Sequence, residues 1–335
     1  MHPRQALFDP EEAAGNALPV CDHYAGVEAR MHKSLALQAE LGPVFDVTLD
    51  NEDGAPVGGE IEQAHLIQEL LGSSANRFGR VGVRLLPLGH ARFADVATIV
   101  LKSPRAPAYL MLPKPRGLTD VQAAARALDS LGAAAIPLHA LVETHGALRE
   151  VFAIAAHPRI QSLSFGLMDF VSAHRGAIPA SAMAGAGQFD HPLVVRAKLE
   201  IAAACHAAAK TPSHCVFTEF KDTKALEAAA DMACRLLGYT RMWSIHPAQI
   251  KPIVAAFAPT VAEVDEAIAI IQAAQAAQWA PISHRNTLHD RASYRYHWQV
   301  IERARSTSFQ GGAQLPAELA AAWFAADDVT IGAAT

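Results

Sequence analysis

Short apolar runs alternate with helix-length amphipathic stretches along most of this chain. The apolar runs are Leu18–Asp22, Val44–Asp50, Arg80–Leu86, Ala108–Pro113, Ile136–Glu143, Ile160–Gly166, His214–Glu219 and Met242–Pro247. Apolar runs of this length bounded by Gly, Pro, Asn or Asp read as buried strands, and Val44–Asp50 is β-branched as well. Helical patterns fill the gaps: Gly26–Leu41, Glu60–Leu71, Ala91–Leu101, a helix from Thr119 to Gly132, one opened by Thr144, Pro192–Ala208, and one capped by Asp222 that stops at Gly238. Thr119-Asp-Val-Gln122 has the form of a capping box, with Val121, Ala125 and Leu128 on one helical face.

Strands alternating with crossover helices imply parallel pairing, and eight such units predict an α/β fold of the (β/α)8 TIM-barrel type. A doubly wound open sheet is the competitor. It would carry a Gly-rich phosphate turn after its first strand, and Cys21-Asp22-His23-Tyr24 is no such turn. The predicted organisation is an N-terminal arm over residues 1–17, a barrel over 18–258, and a helical C-terminal lid or oligomer contact over 259–335. In that last part Ala262–Trp279 reads as a helix, Pro281–Asp290 as irregular, and Tyr294–Trp298 as helix again. The Gly- and Ala-rich stretch Ser172–Phe189 reads as a mobile loop at the strand ends.

Composition narrows the function classes. At 335 residues and half apolar, the chain can bury a large core. A net charge of -5 and a pI near 6.3 favour neither nucleic-acid nor membrane partners. Sixteen histidines are scattered without zinc-type spacing, and Cys21, Cys205, Cys215 and Cys234 lack paired spacing. Free thiols, no apolar signal core at the start and no spanning run predict a cytoplasmic protein.

In a barrel the chemistry gathers at the carboxyl ends of the strands. Those positions hold Asp50, Glu52 and Asp53, then Arg84, Lys114, Glu143, Asp169, Glu219 and His246. Each has a bland reading. Glu143 and Asp169 can cap helices or form rim salt bridges, and the strand-two acids can serve as a network that fixes Arg84. Lys114 can be a solvated loop charge, His246 a turn histidine, and His145 and His174 surface residues. The functional reading is that two carboxylates at one rim offer hard oxygen ligands with open positions, which suits Mg²⁺ and an oxygenated substrate.

Taken in order, the motifs resemble those of citrate lyase beta subunits and HpcH/HpaI-type aldolases, with malyl-CoA and citramalyl-CoA lyases among them. The carriers are Leu49-Asp-Asn-Glu-Asp-Gly54, Val83-Arg84, Met111-Leu-Pro-Lys114, Val142-Glu-Thr144, Phe165-Gly-Leu-Met-Asp-Phe170, Leu237-Gly-Tyr239, Ser244-Ile-His-Pro-Ala-Gln-Ile250 and Phe257-Ala-Pro-Thr-Val-Ala-Glu-Val264. The resemblance implies Mg²⁺ (or Mn²⁺) held by Glu143 and Asp169, and Arg84 against the oxo acid or the developing enolate. It further implies Lys114 in substrate binding, and Asp290 of Leu288-His-Asp290-Arg as a base supplied by a neighbouring subunit of a trimer or hexamer. The implied activity is cleavage or formation of a 3-hydroxyacyl-CoA thioester, yielding an acyl-CoA and a 2-oxo acid. Two alternatives stay open: an aldolase on free hydroxy-oxo acids, and a lyase subunit inactive without its partner. Family members carry Pro-Gly-x-Arg after strand one, near the CoA phosphates, where this chain has Cys21-Asp22-His23-Tyr24.

Overall fold

The computed structural model describes residues 1–9, 18–308 and 314–332. Two compact units divide the chain, residues 20–256 and residues 1–19 with 257–335.

The first unit is a closed barrel of eight parallel strands in sequential order. They are β1 (Cys21–Ala25), β2 (Phe45–Asp50), β3 (Val81–Arg84), β4 (Leu110–Leu112), β5 (Leu138–Val142), β6 (Ile160–Phe165), β7 (Thr211–His214) and β8 (Arg241–Ser244). Nearly every strand residue is buried, because helices cover the outside and neighbouring side chains fill the inside. Closure pairs β1 with β8 through Cys21↔Met242, Asp22↔Trp243 and His23↔Ser244.

Deep in the barrel, away from the carboxyl ends, a polar plug replaces part of the apolar filling. Arg241 is fully buried, with its guanidinium 2.6 Å from Asp46 Oδ2 and 3.1 Å from Asp22 Oδ2. The Thr48 hydroxyl (2.7 Å) and the Tyr109 hydroxyl (3.0 Å) donate to Asp22 Oδ1, and Arg80 Nε donates to Asp46 Oδ1 at 2.7 Å. His139 stacks on Tyr109 with ring centroids 3.8 Å apart. Burial pushes the Asp22 carboxyl up, whereas Arg80 and Arg241 together overcome burial at Asp46 and hold it down. Buried charges persist only when paired in this way.

Several boundaries differ from those the sequence predicts. The seventh strand is Thr211–His214 rather than 214–219, so Glu219 lies in the loop beyond it. Thr119 does not cap its helix. That helix, Leu118–Ser130, starts one residue after Gly117, and the Glu150 carboxylate accepts from the Leu118 N–H at 2.8 Å. The 172–189 stretch is folded into two 3₁₀ turns, Ala180–Met183 and Ala186–Phe189, with Ile178, Ala182 and Gln188 buried.

In the second unit, Thr260 and Glu263 form a capping box that opens the helix Val261–Ala276. The segment read as irregular contains an antiparallel hairpin of β9 (Ile282–His284) and β10 (Thr287–His289), and the helix Arg291–Ser306 follows. Trp298 stacks on Phe324 at 5.4 Å and meets Trp323 edge-on, in a core with Tyr294, Ile270 and Leu7. Leu7 belongs to a short N-terminal helix, Pro3–Leu7; the rest of the predicted arm, residues 10–17, lies outside the described residues. Among the described residues no helix is long and apolar enough to cross a membrane.

Candidate active site at the carboxyl rim of the barrel

Parallel strands deliver their last residues to one rim, and the structure gathers five of the predicted acids there with two cations. Glu143 follows β5 directly and is 2% exposed. Its Oε1 accepts the Lys114 backbone N–H at 2.7 Å. Asp169 sits in the first turn of the helix Leu167–Ser172, immediately after β6. Between them, Gly166 leaves room for the glutamate: a Cβ there would run into the Glu143 carboxylate. Burial first, and the Asp169 charge second, push the Glu143 carboxyl up to about 8. Two carboxylates facing each other in a dry rim repel unless a cation lies between them.

Arg84 ends β3 and is almost fully buried. Its Nε donates to Asp50 Oδ1 at 2.6 Å, while Nη2 donates to Asp50 Oδ2 at 2.9 Å and to the Tyr24 hydroxyl at 2.5 Å. Nη1 stands 3.0 Å from Glu52 Oε2 as an ion pair. Burial opposes the guanidinium charge, but Asp50, Glu52 and Glu143 raise its proton affinity further. The Nε and Nη2 groups are committed to Asp50 and Tyr24, whereas Nη1 is ion-paired with Glu52 without a hydrogen bond to it, so its N–H groups are the ones that can donate to a substrate oxygen.

The acids after β2 divide the work. Asp50 also accepts the Glu52 N–H at 3.0 Å and the Gly54 N–H at 2.6 Å, so it is an anchor for Arg84 rather than a free ligand. Glu52 and Asp53 hold the Lys114 ammonium at 2.5 and 2.9 Å. Burial raises Glu52; at Asp53 the ammonium outweighs burial and lowers the carboxyl. Lys114 is therefore no loose surface charge. It occupies the left-handed region at φ 50°, between two prolines, and this strained turn is stitched to the next unit. Thr144 Oγ1 donates to the Pro115 carbonyl at 2.7 Å, and a Cβ at Gly146 would strike the Arg116 carbonyl.

The remaining candidates are engaged in other contacts. Glu219 accepts the Gly185 N–H at 3.0 Å and ties down the long β6–β7 excursion. His246 caps the 3₁₀ turn Pro247–Gln249 and stacks on Phe220. His145 and His174 pack against Phe170 beside the Asp169 helix. Asp290 belongs to the second unit, where its Oδ1 accepts from the Ala292 and Ser293 N–H groups and caps the helix Arg291–Ser306.

Tyr24, which the sequence reading passed over, is part of the rim. Its ring lies under the Arg84 guanidinium, 4.8 Å to the centroid, and stacks on Trp243 at 5.8 Å. Its position at the end of the first strand was the available signal.

Among the described residues no group of three or more His, Cys, Asp or Glu forms a metal cage. The Glu143–Asp169 pair nonetheless has the donor chemistry of a hard divalent cation, since Mg²⁺ commonly takes one or two carboxylates and leaves its other positions to water and substrate.

The chain is 53% identical to a citrate lyase from Burkholderia xenovorans LB400, with a TM-score of 0.83 over 97% of this chain and 100% of that one. The chain belongs to the citrate lyase beta-subunit family. This family is one of carbon–carbon lyases. An L-malyl-CoA/beta-methylmalyl-CoA lyase from Rhodobacter capsulatus is 26% identical over 230 residues, 63% of this chain and 72% of that protein. The CitE protein of Mycobacterium tuberculosis, solved with magnesium, acetoacetate and coenzyme A, shares the fold at 20% identity and a TM-score of 0.66, over 86% of this chain and 99% of that one. No protein-family profile matches the chain.

Proposed function

We propose that the chain is a Mg²⁺-dependent lyase that cleaves, or in reverse forms, a 3-hydroxyacyl-CoA thioester, giving an acyl-CoA and a 2-oxo acid. The observation that carries this reading is the gathering of Glu143, Asp169 and the half-committed Arg84 at one rim. Glu143 and Asp169 would hold the metal, which supplies Lewis-acid polarisation of the oxo-acid carbonyl when bound. Mn²⁺ has the same ligand preferences and can take its place. Arg84 Nη1 would donate to the oxygen on which the enolate charge develops, in a pocket dry enough to strengthen that contact. Asp50 and Tyr24 keep the guanidinium aimed, and Glu52 with Asp53 keeps Lys114 at the substrate's edge. Asp290, supplied by a neighbouring copy in a trimer or hexamer, would take the hydroxyl proton. The magnesium, acetoacetate and coenzyme A held by the M. tuberculosis relative support this assignment.

One observation favours a second reading, an aldolase on free hydroxy-oxo acids with no thioester. Cys21-Asp22-His23-Tyr24, set against the family's Pro-Gly-x-Arg, lies within β1 and holds no Lys or Arg; the first such residue beyond the strand is the exposed Arg30, in the helix Glu28–Leu41. Incubating the protein with Mg²⁺, acetyl-CoA and glyoxylate or pyruvate, and weighing the products by mass spectrometry, separates the two. A condensed thioester supports the first. Pyruvate release from a free hydroxy-oxo acid, with no product from any short acyl-CoA, supports the second. Calorimetric Mg²⁺ titration of Glu143→Ala and Asp169→Ala tests the metal site itself: unchanged affinity in both variants would sink it.

A further inference from the structure

A cavity of about 260 Å³ opens between the loops that follow β3 and β4, and Lys114 forms part of its wall. The rest of that wall is largely hydrocarbon, from Leu86, Leu88, Leu112, Pro113, Pro115 and Ala124. Both cations that reach it are already matched. Lys114 is held by Glu52 and Asp53, and the Arg116 guanidinium lies 2.8 Å from Asp120. No unpaired positive charge is left for an additional substrate carboxylate, which would be costly to desolvate against such a wall. An alkyl or aryl group gives up no polar contacts there.

The cavity is also rigid and adjoins the rim carboxylates. Its Lys114 donates its backbone N–H to Glu143, and the turn carrying it is clasped by Thr144. A group that enters is therefore borne by whichever substrate half is held at Glu143 and Asp169, which in the reading above is the oxo acid. For size, an apolar cavity of about 150 Å³ suffices for benzene.

We infer that this cavity receives an apolar arm of the oxo acid, up to about the size of a phenyl group, so that the preferred substrate carries an alkyl or aryl substituent rather than a further carboxylate. The inference rests on the lyase reading for the identity of the half that binds, and not for the existence of the apolar subsite.

Ligand-observed NMR titration in the presence of Mg²⁺ tests it, with pyruvate, 2-oxobutyrate, 2-oxohexanoate, phenylpyruvate and oxaloacetate as probes. Affinity should rise roughly fourfold per added methylene, so that 2-oxohexanoate binds at least about tenfold more tightly than pyruvate. Phenylpyruvate should bind more tightly than oxaloacetate. Ala124→Trp, and independently Leu88→Trp, should abolish the preference while leaving pyruvate affinity unchanged; the second variant guards against misfolding of the first. Equal affinity for 2-oxohexanoate and pyruvate in the wild type, or a preference that survives both variants, overturns the inference. Thioester condensation without any side-chain preference would overturn the cavity assignment and leave the lyase reading intact. The preference without any carbon–carbon chemistry would support the cavity and overturn the lyase reading.

Discussion

Glu143→Gln probes the rim without any substrate. In metal-free protein the Glu143 carboxyl is raised from 4.5 to about 8, by burial and then by Asp169. At 1.36 kcal/mol per pH unit, ionising it in the folded chain above pH 8 costs about 5 kcal/mol relative to the unfolded chain. The folded state holds this proton more tightly than the unfolded state. Its contribution is therefore fully present below about pH 4.5 and is lost as pH rises towards 8. An amide at this position keeps the Lys114 contact and does not titrate. In EDTA, the variant should exceed the wild type by about 1 kcal/mol at pH 5.5 and by up to about 5 kcal/mol at pH 8.5. For a chain of this size that is a Tm advantage growing from roughly 2 °C to roughly 7 °C. Scanning calorimetry at the two pH values reads it directly. Saturating Mg²⁺ should erase the advantage, because binding stabilises only the ionised wild-type site. An advantage of equal size at both pH values in EDTA would refute the reasoning, since it would mean that Glu143 does not titrate in this range.

Other perturbations have equally direct readouts. Gly166→Ala drives a methyl group into the Glu143 carboxylate, so Mg²⁺ affinity measured by calorimetry should drop at least about tenfold. Arg241→Met leaves Asp22 and Asp46 facing each other in the barrel interior; urea unfolding should register a loss of roughly 3–5 kcal/mol. Trp298→Ala empties the core of the second unit and should cost roughly 3–5 kcal/mol, read as early loss of that unit's hydrogen-exchange protection.

Most of the barrel was legible because strands buried on both faces must be apolar, and such runs stand out against amphipathic helices. Arg84, Glu143 and Asp169 were legible for the converse reason, as charges closing runs that otherwise avoid charge. β7 was misplaced because Thr-Pro-Ser-His fits the barrel with small and polar side chains, while the apolar Cys215–Phe217 that follows looks more strand-like. The start of the helix Leu118–Ser130 was missed because the acceptor of its first N–H, Glu150, stands 32 residues later, at the turn between two other helices. The 172–189 stretch looked mobile by composition. Its anchor is a distant pairing: the Lys198 ammonium, wholly buried over the Phe189 ring at 4.0 Å, donates to Gln188 Oε1 at 2.9 Å. Tyr24 was passed over because its partners, Arg84 and Trp243, converge on it only when the barrel closes.

The plug around Arg241 bears on how the chain is made. The cation stands 195 residues after Asp46 in sequence, so during synthesis the two acids of the first strands emerge long before it. At about 5–20 residues per second, the interval is roughly ten to forty seconds. Until β8 leaves the ribosome, Asp22 lacks its guanidinium partner and the open edge of β1 has nothing to pair with. The arrival of one arginine then satisfies the charge and the last seam together, so the barrel is completed only when nearly the whole unit is available.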